Sequence, residues 1–208
     1  MNIIQQFFIL IFPVLFALTI HEFSHGYAAY KLGDDTAKRA GRLTLNPLKH
    51  LDPIGTIMLF IAKIGWARPV PINPYNFKNF KWDTAIVSFA GPLANFISAI
   101  AFSILFNLFY SPTSGQNIFI LIIFYTIFIN IALGLFNLIP IPPLDGSKIF
   151  GALLPDRLYF QYQKFERKGM FLFIAIILIS NFAGLNIIGG VILPPIRFFV
   201  RLLTGVSI

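Results

Sequence analysis

The five residues His21-Glu22-Phe23-Ser24-His25 place two imidazoles four positions apart with a carboxylate beside the first, the H-E-x-x-H pattern. On a helix four residues make about 400° of rotation, so the two rings stand about 40° apart on one face, one turn above the other. Both can then reach one Zn²⁺ at about 2.0–2.1 Å. Glu22 projects within about 60° of His25, close enough to hold a water at the ion without replacing it. Such a water's pKa falls to about 7, and Glu22 can take its proton and pass it to a leaving amine. The competing reading is chance, two histidines tucked against polar groups. The chain has three His and two Glu in total. Shuffling that composition yields the window on the order of once in a few thousand tries. The metal reading leads.

A catalytic zinc site needs three protein ligands and one open position. Two residues compete for third place. His50 sits near Lys49 and Asp52 in a charged stretch, where a solvated imidazole is the ordinary expectation. Asp145 lies in Asn137-Leu-Ile-Pro-Ile-Pro-Pro-Leu-Asp-Gly146, where prolines 140, 142 and 143 end a helix at membrane depth. It is the stronger candidate, with a helix N-cap for residues 146–154 as its bland alternative.

The elements that must hold these groups follow from composition. Of 208 residues 57% are hydrophobic and 12% charged, with a mean hydropathy of +0.77. A soluble domain carries about 25% charged residues, so this chain could not cover itself in water. With no Cys, disulfides, thiolate ligands and cysteine nucleophiles are excluded. Sixteen Lys+Arg against eight Asp+Glu give +8, but placement carries more meaning than the sum and does not point to nucleic acid. From Thr84 to Leu144, 61 residues pass without one Asp, Glu, Lys, Arg or His. That stretch holds two spans, about 85–110 and 118–139, joined by an uncharged turn at 111–116. Their far ends carry Lys78, Lys81, Lys148 and Arg157, and are therefore cytoplasmic. A first span, 3–30, precedes Lys31, Lys38, Arg39, Arg42 and Lys49 and runs inward. It lacks the basic start and cleavage site of a signal peptide.

Two regions read less directly. Ile54–Ala62 is too short to cross and reads as re-entrant or interfacial, flanked by extended segments at 41–45 and 66–74. Met170–Ile188 reads as a span, and a helix opening at Pro195 would cover only about 15 Å, lying in the interface or completing a bent final span. The expected class is an all-α multi-pass membrane protein, with about four to six membrane-embedded segments and a small extended element within 41–74. The chain reads as a single membrane-embedded domain over 1–208, with a core at about 10–155 and C-terminal helices at 165–205.

The pairing of H-E-x-x-H with a later N-x-x-P-x-x-x-x-D-G segment, here Asn137, Pro140, Asp145 and Gly146, resembles the site-2 protease family of intramembrane zinc metalloproteases. The intervening Phe89-Ala-Gly-Pro-Leu-Ala-Asn95 fits the same family pattern. The resemblance covers roughly residues 10–155 and looks like a short form without PDZ or CBS modules. It implies one zinc per chain held by His21, His25 and Asp145, with Glu22 as general base and acid. It implies that Asn137 orients substrate or steadies the developing oxyanion, an interhelical hydrogen bond being the alternative. For Asn95 a packing role leads over a substrate role. The implied activity is hydrolysis of peptide bonds in transmembrane protein substrates, at a site toward the cytoplasmic side of the cell membrane. The implied surroundings are the lipid bilayer and no nucleic acid, with homo-oligomerisation left open.

Two other classes use the same residues. Glu22, His25 and Asp145 could form the ion relay of a transporter, but the interior is nearly empty of other charge and no inverted halves are visible. A catalytically silent metal-binding protein is the second, which the intact glutamate opposes.

Overall fold

A long apolar run with few breakers forms the first helix, α1 (Ile3–Lys31), at 29 residues more than enough to cross a bilayer. Pro13 lies inside it, as neighbours allow within a membrane bundle. Gly33, at φ 106°, ends it. The Asp34 N–H bonds the Ala29 carbonyl at 2.9 Å and the Gly33 N–H bonds that of Tyr30, closing the last turn as a Schellman motif. That turn fixes where Asp34 emerges.

The computed structural model describes residues 3–55, 67–111, 117–162, 169, 175 and 187–207. After α1 come the single turn α2 (Thr36–Arg39) and 3₁₀ turns at Pro47–Lys49 and Pro74–Asn76. The second long helix, α3 (Phe80–Phe109), opens on a reciprocal cap: Asn79 accepts from the Trp82 N–H while Asp83 accepts from the Asn79 N–H. Then follow α4 (Ile118–Asn137), capped by Asn117, and α5 (Asp145–Leu153). The helix α6 (Ile187–Thr204) closes the described chain. At nine residues, or about 14 Å, α5 does not cross.

Burial is inverted relative to a soluble bundle. On α3 the inner face carries Ala85, Ser88, Gly91, Asn95, Ser98 and Ala99, while Ile86, Leu93, Ile97, Ile100, Ile104 and Leu108 face outward. Small and polar residues inside with branched apolar residues outside is the arrangement lipid favours, because close packing and hydrogen bonds must then hold helices together. Three helices among the described residues are long and apolar enough to span: Phe8–Lys31, Phe80–Phe109 and Ile118–Asn137. α1, α3 and α4 pack on one another, and a dry core of Phe106, Ile123, Ile127 and Ile131 is closed by Ile196 and Val200 of α6.

Several expectations change. The helix expected to open at Pro195 is already formed at Ile187 and runs through Pro194 and Pro195. Its 18 residues cover about 27 Å instead of 15 Å. Most of the expected span Met170–Ile188 and most of Ile54–Ala62 lie outside the described residues, so three spans stand beside the expected four to six segments. Among the described residues there is no strand. Residues 41–45 are turn, bend and irregular chain and 68–73 are irregular, while Ala67 makes an isolated antiparallel bridge with Leu51, so the expected extended element is not seen as a strand.

Candidate metal centre

His21 and His25 lie on the buried side of α1, one turn apart, with ring centroids 4.6 Å from each other. They face α3 where it carries Gly91. A Cβ built there would lie 2.5 Å from His25 Nε2 and 2.8 Å from His21 Cε1, so only hydrogen fits. Asp145 arrives from α5. It is the first residue of that helix, Leu144 is the N-cap, and no side chain caps it, so the N-cap alternative for Asp145 does not hold. Gly146 fits against the Leu138 carbonyl, where a Cβ would clash with the oxygen. The chain can therefore double back tightly after α4 and bring Asp145 to the histidines.

The three donor atoms form a nearly equilateral triangle. His21 Nε2 and His25 Nε2 are 3.0 Å apart, and each is 3.2 Å from Asp145 Oδ2. The other nitrogen of each ring decides what that triangle is. His25 Nδ1 lies 2.7 Å from the Val87 carbonyl oxygen, which can only accept. His21 Nδ1 lies 2.6 Å from Asn95 Oδ1. The Asn95 amide is oriented by its own donors, since its Nδ2 donates to the Ala17 carbonyl at 3.0 Å and to Asn130 Oδ1 at 2.9 Å. Asn130 is oriented in turn by donating to the Thr126 carbonyl. Both Nδ1 atoms therefore carry hydrogen, and with neutral rings both Nε2 lone pairs point at each other and at a carboxylate.

Three acceptors at 3.0–3.2 Å repel unless a cation sits among them. A tetrahedral ion with bonds of about 2.0–2.1 Å needs donor separations of roughly 3.3–3.4 Å, so the triangle fits a zinc-sized ion with a small expansion. Among the described residues this is the one cluster of three such ligands. Its histidines each donate their second nitrogen to an oxygen, the arrangement that fixes tautomer and ring plane in metal sites.

Glu22, half-buried, is held from the side. Its Oε2 accepts the Val70 N–H at 2.8 Å. Val70 belongs to the irregular strap 67–73, which is tied at several points. The Arg68 N–H bonds the His50 carbonyl, Arg42 Nη2 donates to the Arg68 carbonyl at 2.7 Å, and the Asn73 N–H donates to Asp34 Oδ2 at 2.7 Å. Asp34 is fully buried. Burial pushes its carboxyl up, but donors from the Thr36 hydroxyl, the Asn73 N–H, the Asn76 amide and the Thr36 N–H outweigh that and hold it below the usual range.

Other expected residues fall elsewhere. His50 is buried at 1% exposure, not solvated, with Nε2 at 2.7 Å from the Thr44 carbonyl, and it is not in the cluster. The fold folds its ring inward while Lys49 stays exposed. Asn137 ends α4 and turns its amide onto the Leu133 carbonyl of its own helix, not onto another helix. Asn95, for which packing was the leading expectation, bonds the His21 ring, and the close approach of Gly91 to both rings and the Val70 bond to Glu22 have no counterpart in the sequence reading. The spacing of Gly91 and Asn95, four apart on one helix face, was the available signal.

A family model described as Peptidase family M50 matches residues 110–180. Among curated proteins, YwhC of Bacillus subtilis (strain 168) is 42% identical over 174 residues, 80% of this chain and 78% of that protein. Rip2 of Mycolicibacterium smegmatis is 35% identical over 162 residues, 74% of this chain and 60% of that protein. Rip2 of Mycobacterium tuberculosis (H37Rv) is 30% identical over 145 residues, 68% of this chain and 54% of that protein. Each of the three bears the name "Putative zinc metalloprotease". No solved structure gives a significant match.

Proposed function

The chain belongs to peptidase family M50, the site-2 proteases, and from that premise we propose that His21, His25 and Asp145 hold one zinc ion and that Glu22 is the base of an intramembrane metalloendopeptidase. The observation that carries this is the triangle of three converging acceptors whose outer nitrogens are already committed as donors.

Zinc bound there supplies a Lewis acid that polarises a peptide carbonyl and makes a water easier to deprotonate. The rest is done by the chain. With Oε2 held by Val70, Glu22 takes the water proton on Oε1 as the water oxygen attacks the carbonyl carbon. It then gives that proton to the leaving nitrogen as the C–N bond breaks. Asn95 keeps the His21 ring in one plane throughout. Asn137 would have to release the Leu133 carbonyl to reach a substrate oxygen.

The substrate is a membrane-embedded peptide segment that must unwind locally, which Gly, Asn or Pro near the cut makes easier. The strap offers little edge for strand addition. Pro69 and Pro71 lack N–H groups, and the N–H groups of Arg68, Val70 and Asn73 are already used. Substrate therefore pairs elsewhere or displaces a strap bond. By the basic ends of the spans, the metal end of α1 faces the cytoplasm. Residues 1–208 act as a single membrane-embedded catalytic domain.

The test is cleavage of a helical membrane substrate by purified protein, with metal content measured alongside. Glu22→Gln should keep its zinc and lose cleavage. His21→Ala, His25→Ala and Asp145→Ala should each lose zinc, and a chelator should silence the parent chain. Glu22→Gln with full activity would end the mechanism, and unchanged zinc in all three ligand variants would end the site.

A further inference from the structure

Beside the strap lies a cavity of about 540 Å³ lined by Ala40, Arg42, Leu48, Lys49, Arg68, Pro69 and Pro71. Three of those residues are cations and none is acidic. Among the described residues neither Arg42, Lys49 nor Arg68 forms an ion pair, whereas Arg39 pairs with Asp35 and Lys81 with Asp156. Arg42 is only 8% exposed, and among the described residues its buried Nε has no hydrogen-bond partner. Burial and the neighbouring Arg68 charge hold its guanidinium below the usual value, against the opposing pull of Glu22. A buried, incompletely satisfied arginine beside two exposed cations is an arrangement that an anion would relieve.

The cavity rim identifies which anion. Leu48 lines it and is 73% exposed, and Leu45 and Ile54 nearby in the chain are 59% and 66% exposed. A soluble anion has no use for bare leucines. A lipid has, because its phosphate meets the cations while its glycerol and acyl carbons cover the apolar rim.

We propose that the cavity bounded by Arg42, Lys49 and Arg68 binds the phosphate of an anionic phospholipid headgroup. Pro69 and Pro71 bracket Val70, whose N–H holds Glu22. The bound headgroup thus rests on the two residues flanking that hydrogen bond. The site stands independently of the protease reading, because it is assayed without substrate or metal.

The experiment is native mass spectrometry of the full chain in mild detergent, titrated with dioleoyl phosphatidylglycerol or dioleoyl phosphatidylcholine. The parent chain should take up one phosphatidylglycerol in preference to phosphatidylcholine. Lys49→Gln/Arg68→Gln should weaken that uptake roughly twenty-five-fold, at a factor of about five per cation, and Lys49→Gln alone about fivefold. Both side chains are exposed, so folding does not depend on them. Lys31→Gln/Lys78→Gln removes the same charge elsewhere and should bind as the parent does. Equal uptake by the parent and by Lys49→Gln/Arg68→Gln overturns the proposal. So does displacement of the lipid by millimolar inorganic phosphate, which would make this a soluble-anion site, or by hexaglutamate, which would make it a site for acidic peptide.

Discussion

Asn95 and His21, 74 positions apart, meet through a 2.6 Å contact between Asn95 Oδ1 and His21 Nδ1. The contact joins α3 to α1, and the Asn95 amide nitrogen extends it to Ala17 and to Asn130 on α4. One side chain thus ties three helices together and fixes the tautomer of His21.

Asn95→Leu removes the acceptor and lets the His21 ring rotate or change tautomer. Zinc affinity should fall about 10–100-fold, the usual effect of losing such a partner. Competition with a chromogenic chelator measures it. Unchanged affinity would show that Asn95 only packs.

Gly91→Ala is chemically mild but sterically severe. The new Cβ would lie 2.5 Å from His25 Nε2, and both rings are anchored at their other nitrogen. Displacing reacting groups by about 1 Å costs on the order of 10²-fold in rate, so cleavage should fall by that order and zinc should be held more weakly. Gly190→Ala, where a Cβ meets nothing within 4 Å, is the matched control and should leave cleavage unchanged.

Asp34 should make the strap acid-sensitive. Its carboxyl is held below the usual value in the folded chain. Its contribution is therefore complete above the unfolded value of about 3.9, and disappears as pH falls through the lower folded value. Asp34→Ala leaves its buried donors unsatisfied, at a cost of about 1–3 kcal/mol. Thermal unfolding followed from pH 7 downward should show a shallower acid limb for Asp34→Asn than for the parent.

Orientation is testable because the chain has no cysteine. Ser111→Cys should react with an impermeant maleimide on intact cells, and Lys49→Cys only after permeabilisation. The reverse pattern would invert the assigned topology.

What the sequence made legible was local. Two histidines on one helix face follow from spacing alone, and the charge-free stretch outlines α3 and α4. Asp145 could be ranked but not placed, because its position depends on the tight return that Gly146 permits against Leu138. Asn95 and Gly91 acquire their roles only where α3 crosses α1, a relationship no window of sequence contains. His50 misled because its charged neighbours suggested solvent, while its ring turns in to the Thr44 carbonyl. The two prolines of α6 suggested a helix start, yet packing of Ile196 and Val200 on the core accompanies a helix that continues through them.

The proposed ligands are far apart in time as well as in sequence. His21 and Asp145 are separated by 124 positions, which a ribosome working at about 5–20 residues per second takes roughly 6–25 s to traverse. During that interval α1 carries its two histidines and its glutamate without the carboxylate that completes the set. A nascent chain therefore passes the insertion machinery before it can cut, and the enzyme is armed by the arrival of its own later helices.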